Sequence, residues 1–181
     1  MEEQIQSKER EGGLSHCKGS TGVRWRLAMA GLLAALALTP AAAPAAEIDR
    51  EEYVERAEPI CKTNTEANRR IFKGAKDEVR AGELKKASTH FSRAATAFEK
   101  TIEQLAALPR PASDEAKLRK WIGYLEAEQR YIARIGRALA QEDKGKAQML
   151  SVRLNRNSNL ANNTVLAFGF EYCRIDSSRF S

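Results

Sequence analysis

The chain has 181 residues, and its 30 Lys and Arg residues against 24 Asp and Glu residues give a net charge of +6. The length suits one domain, and a mean hydropathy of −0.51 excludes a polytopic membrane protein. Two His and three Cys leave little material for a metal or haem site, so we predict no metal and no cofactor. No run of five Lys or Arg residues occurs, so we expect no nucleic-acid partner.

The N-terminal segment has the three parts of a secretory signal peptide. Residues 27–38 form an uncharged apolar core, Arg24 and Arg26 precede it, and the small residues of 39–46 follow it. This arrangement predicts export, to the cell envelope, the periplasm or the medium.

Small side chains at Ala43 and Ala45 predict cleavage before Ala46. We therefore predict a signal peptide over residues 23–45, and a domain over the remainder, 46–181. Residues 1–22 are a disordered extension or reflect a start site assigned too early. The alternative is that the apolar stretch stays uncleaved and anchors the protein in the membrane.

Cleavage removes Cys17 and leaves two cysteines, Cys61 and Cys173. An even pair in an oxidising compartment favours one disulfide over two buried free thiols.

Helical periodicity, with apolar residues at steps of three and four, continues through most of the predicted domain. We predict four helices. The first runs from an Asp49 cap to residues 81–82, and the second from Leu84 to about Leu108. The third runs from a Ser113 cap to about Leu139, and the fourth from the linker 143–145 to a Gly169 C-cap. Pro59 predicts a kink early in the first helix.

Short connections make neighbouring helices antiparallel, so we predict an all-α, up-down-up-down four-helix bundle. In such a bundle the end of the fourth helix lies beside the start of the first. The tail that follows can then fold back to Cys61, and we expect Phe170 and Tyr172 to cover that end of the bundle.

Two cysteine-containing blocks carry a family resemblance. The block from Tyr53 to Cys61 (YVERAEPIC) and the block from Gly169 to Cys173 (GFEYC) resemble uncharacterised exported proteins of actinobacteria. In those proteins an early helix carries an A-x-x-I-C signature and a G-φ-x-x-C motif (φ apolar) ends the domain; here Pro59 replaces the expected Ala. The resemblance covers residues 48–175 and implies a helical exported domain with one disulfide, without any activity.

Motifs for catalysis are missing from the sequence. It has no G-x-S-x-G, no H-E-x-x-H and no glycine-rich phosphate loop, and no nucleophile and base can be paired. We therefore predict that the protein is not an enzyme.

An asparagine-rich stretch is the most unusual part of the chain, with five Asn in residues 155–163. Asn157, together with Asn64 on the first helix, is a candidate polar layer inside the bundle. The interpretation that we favour is that such a layer fixes the register of the helices. The alternative is that it lines a ligand pocket. The third alternative is that these Asn side chains face solvent.

Four arginines form a candidate surface for an anionic partner: Arg153, Arg156, Arg174 and Arg179. The alternative is an ordinary solvated face. The leading hypothesis is an exported, non-enzymatic binding or scaffold module that docks an envelope protein or an anionic envelope polymer. The second hypothesis is a small-ligand carrier, which a roomy pocket between the helices would favour.

Overall fold

The computed structural model describes residues 47–175, and all regular structure within them is helical. The helices are α1 (Arg50–Ile71), α2 (Ala75–Arg80), α3 (Leu84–Ala107), α4 (Glu115–Ala140) and α5 (Lys144–Thr164). One 3-10 turn, Ala112–Asp114, precedes α4, and a second, Leu166–Phe168, follows α5. The all-α class is confirmed, whereas the predictions for residues 1–46 lie outside the described residues.

The first predicted helix is two helices, so the expectation of one continuous segment is wrong. Asp49 caps α1 as predicted, with its carboxylate accepting the backbone N–H of Glu52 at 2.8 Å. Pro59 lies within α1 and does not end it. The break comes after Ile71, where Gly74 adopts a φ of 86°, a left-handed conformation that other residues rarely take.

The helices pack mainly in chain order. α3 lies along α4 and α4 along α5, while α1 and α2 pack on α3. Gly136 permits the close approach of α4 to α3, because a Cβ at this position would lie 3.1 Å from Cβ of Phe91. α1 has no comparable contact with α5 or with α4. A space therefore remains on the inner side of α1.

Two apolar cores stabilise the fold. The first joins the start of α1, the end of α3, the start of α4 and the end of α5 with the C-terminal tail, and Tyr53 and Trp121 are fully buried in it. The second joins the start of α3, the end of α4 and the start of α5 around Leu84, Ile135 and Leu150. The space beside α1 lies between these two cores.

Candidate functional site

The C-terminal tail is joined covalently to α1. Cys61 and Cys173 form a disulfide with their Cα atoms 5.0 Å apart, which confirms the predicted pairing. The Glu58 carboxylate accepts the backbone N–H groups of Glu171 and Tyr172, at 2.6 and 2.9 Å. Two adjacent backbone donors of the tail are thus bonded to the same helix that holds the disulfide.

The tail is also held by α5 and by aromatic packing. The side-chain amide of Asn162 donates to the carbonyl of Ile175 and accepts its N–H, both at 2.8 Å. Phe170 is 2% exposed and stacks on Trp121 with ring centroids 5.5 Å apart, so it covers the end of the bundle as predicted. The tail therefore bridges α1 and α5 and forms a wall over the space between them.

A cavity of about 280 Å³ occupies this space, enclosed by α1, α3, α4, α5 and the tail. Its apolar and aromatic walls include Phe72, Phe91, Phe98, Leu105, Trp121, Leu125, Ile132, Leu154 and Tyr172. Its polar walls include Asn64, Thr65, Asn68, Thr101, Glu128, Ser151, Asn155 and Ser158. Asn155 and Arg174 are exposed lining residues and mark the side on which the cavity reaches solvent.

Glu128 of α4 is the most unusual residue of the cavity wall. Its side chain is 6% exposed, and its Oε2 atom has no hydrogen-bond partner. Burial raises the pKa of Glu128 to about 8, although hydrogen bonding with Ser158 opposes this shift. The Ser158 hydroxyl donates to the backbone carbonyl of Leu154 at 3.0 Å. Near neutral pH the cavity therefore contains a protonated carboxyl group.

The α1 wall of the cavity adds further unpartnered polar atoms. Thr65 and Asn68 are buried on the inner face of this helix, and Asn64 lies beside them, half-buried. The Oδ1 atoms of Asn64 and Asn68 have no partner, and neither has the indole N–H of Trp121 on the α4 wall. The cavity therefore combines apolar walls with a few polar groups that are free to bind a ligand.

The two asparagines of the predicted polar layer occupy different environments. Asn64 lines the cavity. Asn157 is 8% exposed and donates from its side-chain amide to the backbone carbonyl of Tyr124 at 2.8 Å, which joins α5 to α4. Asn157 does not belong to the cavity wall, and its position suits a role in fixing helix register.

The arginines of the predicted anionic-partner surface also separate. Arg153 and Arg156 are exposed on α5, and Arg174 is exposed at the mouth of the cavity. Arg179 lies outside the described residues.

Other kinds of site find no support in residues 47–175. Within that range no group of three His, Cys, Asp or Glu residues could hold a metal ion. None of the helices described there is both long and apolar enough to cross a bilayer. His90 contacts the carbonyl of Ile71, and its Nε2 lies 3.0 Å from the Glu78 carboxylate, so it joins the α1–α2 break to α3.

Four polar residues of the cavity wall were not predicted from the sequence: Glu128, Ser158, Thr65 and Asn68. The signal for Glu128 was present, because it continues the buried series of α4 at steps of three and four. Its buried members are Leu118, Trp121, Leu125, Glu128 and Ile135, and the half-buried Ile132 lies between the last two. On α1 the buried face follows Cys61, Thr65 and Asn68, whereas Asn64, which was predicted for the polar layer, is half-buried beside it.

Comparison of the chain with protein-family models, with curated proteins and with solved structures finds no match.

Proposed function

We propose that this protein is a carrier of a small, largely apolar ligand, which it binds in the cavity between α1 and α5. The observation that carries the proposal is a buried carboxyl group, Glu128, with an unpartnered oxygen in an otherwise mostly apolar cavity. The cavity favours the small-ligand carrier, which was the second hypothesis from the sequence, over the docking module, which was the first.

Size and composition both support a binding site. Protein interiors contain few voids larger than a water molecule, whereas this cavity of about 280 Å³ is close to the lower end of small-molecule sites. Such sites combine mostly apolar walls with a few polar groups that orient the ligand. An unsatisfied buried polar atom costs roughly 1–3 kcal/mol. A ligand that supplies the missing partners recovers part of that free energy.

The proposal also includes the order of the helices and the location of the protein. We take α1, α3, α4 and α5 to run alternately up and down, because the connections 108–114 and 141–143 are short. We also propose that the chain is exported and cleaved before Ala46, as its N-terminal sequence indicates. The ligand would then be carried in the cell envelope or outside the cell, where the disulfide is stable.

A cavity-filling variant tests the carrier function. Ser151 lies on the α5 wall, and Ser151→Phe places an aromatic ring in the cavity. Val152→Phe is the matched control, because Val152 is the next residue, is 66% exposed and does not line the cavity. Phenethyl alcohol serves as a neutral probe. In a chain that carries Trp25→Phe, the fluorescence of Trp121 reports its binding, since Trp121 is then the sole tryptophan.

We expect Ser151→Phe to weaken probe binding at least about tenfold, and Val152→Phe to change it less than about twofold. Equal effects of the two variants, with both proteins folded by circular dichroism, would place the probe outside the cavity and refute the proposal.

The outer face of α5 supports a second candidate, the docking of an anionic envelope partner. Met149, Val152 and Leu160 are 46, 66 and 45% exposed there, and Arg153 and Arg156 lie among them on the same helix. Replacing both arginines by Glu should abolish retention on an anionic envelope polymer at low ionic strength and leave the binding of phenethyl alcohol unchanged. Retention equal to that of the unmodified protein would exclude this surface.

A further inference from the structure

We propose that the ligand bears a protonated amine at one end of an apolar body, and that Glu128 is the counter-ion of this amine. The inference rests on the carrier function and names the chemical class of the ligand. It is drawn from the unpartnered atoms of the cavity wall and from the distribution of charge around them.

The cavity offers more unpartnered acceptors than donors. Among the described residues of the wall, Asn64 and Asn68 present unpartnered Oδ1 atoms from α1, and Glu128 presents Oε2 from α4, which accepts once the carboxyl has lost its proton. The buried unpartnered donor among these residues, apart from the neutral carboxyl itself, is the indole N–H of Trp121. A protonated primary amine has three N–H donors and no acceptor. It therefore matches this set better than a ligand that mainly accepts hydrogen bonds.

Charge favours the same class. Of the lining side chains within residues 47–175, Arg174 is the one that carries a fixed positive charge, and it lies exposed at the mouth. A carboxylate ligand would meet oxygen acceptors inside, without a cation to pair with. An ammonium group would meet a carboxyl group that is 6% exposed, where ion pairing is little screened by water. Phe91 and Phe98 also line the cavity, and aromatic rings attract cations.

Binding of an ammonium group changes the protonation of Glu128. Because its pKa is about 8, Glu128 is mostly neutral at pH 7, and it must lose its proton to solvent to form the ion pair. Besides Glu128, the titratable side chains among the described residues of the wall are Tyr172 and Arg174, both from the tail, whereas α1, α3 and α5 contribute none. Up to one proton is thus released for each ammonium bound, fewer as the pH approaches 8, and the affinity rises with pH between 6 and 8.

Three probes with the same apolar body test the inference: phenethylamine, phenethyl alcohol and hydrocinnamate. Their affinities for the purified protein are measured by titration calorimetry at several pH values, in two buffers that differ in heat of ionisation. We expect phenethylamine to bind about tenfold more tightly than the alcohol at pH 8, and hydrocinnamate to bind most weakly. From pH 6 to pH 8 the amine affinity should rise by up to about tenfold per pH unit, while the alcohol affinity stays constant.

The variant Glu128→Gln keeps the shape of the neutral side chain and removes its ability to ionise. We expect it to abolish the preference for the amine over the alcohol, and to remove the pH dependence of amine binding. The pH series of the unmodified protein tests the same point without any variant.

The results distinguish a failure of the amine inference from a failure of the carrier function. If the alcohol binds as tightly as the amine, or if no proton is released with the amine, the amine inference is wrong and the carrier function stands. If none of the three probes binds, the carrier function fails and the amine inference fails with it.

Discussion

Glu128→Gln should make the protein more stable in alkaline solution and leave its stability almost unchanged in acid. In the folded protein burial raises the pKa of Glu128 from 4.5 to about 8. The folded state therefore holds this proton more tightly than the unfolded chain does. The stability associated with the neutral carboxyl is fully present below pH 4.5 and is lost as the pH rises to about 8.

The size of the effect follows from the width of this pH window. The difference between the two pKa values is three to four pH units, and each unit corresponds to about 1.36 kcal/mol. The ionised carboxylate thus lowers the free energy of unfolding by about 5 kcal/mol above pH 8, relative to pH 4.5. Because Gln does not ionise, the variant avoids this loss.

Urea unfolding followed by circular dichroism, with the disulfide intact, measures the difference between the two proteins from pH 4 to pH 9. Glu126→Gln is the matched control, because Glu126 lies two residues away on α4 and its side chain is 53% exposed. The control should differ from the unmodified protein by less than about 0.5 kcal/mol at every pH. A Glu128→Gln difference that does not grow with pH would refute both the burial of this carboxyl and the argument for its neutral form.

Three further predictions concern the disulfide, the α4–α5 contact and processing. Replacing Cys173 by Ser should lower the free energy of unfolding by about 4–5 kcal/mol in urea, because the disulfide to Cys61 spans a sequence separation of 112; an unchanged midpoint would contradict this. Asn157→Leu removes one hydrogen bond, to the Tyr124 carbonyl, that lies outside the cavity. It should therefore change the free energy of unfolding by no more than about 1.5 kcal/mol and leave the binding of phenethyl alcohol intact. Loss of binding by calorimetry would mean that Asn157 belongs to the binding site. Intact mass of the exported protein should place its first residue at Ala46, and retention of residues 1–45 would favour the uncleaved anchor.

Local sequence signals predicted the helices well because helix formation depends on neighbouring residues. The Asp49 cap and the apolar spacing in α3 and α4 act within a few residues, and the structure keeps them. The break after Ile71 was missed because apolar spacing continued through Gly74, whose left-handed conformation ends one helix and starts another. The start of α4 at Glu115, after a 3-10 turn, also differs from the predicted Ser113 cap.

The all-α class could be predicted from the sequence, because helical periodicity is a local property. The pairing of Cys61 with Cys173 could be predicted because the expected cleavage before Ala46 removes Cys17 and leaves two cysteines, and the structure confirms this pairing. The space between α1 and α5, and the tail that covers it, depend on how the helices pack in three dimensions and could not be read from the sequence. The raised pKa of Glu128 depends on that arrangement, since it reflects how much water and protein surround the carboxyl in space. A helical pattern can place Glu128 on an inward face, but the distance to the opposite helix is set by all the packed side chains together.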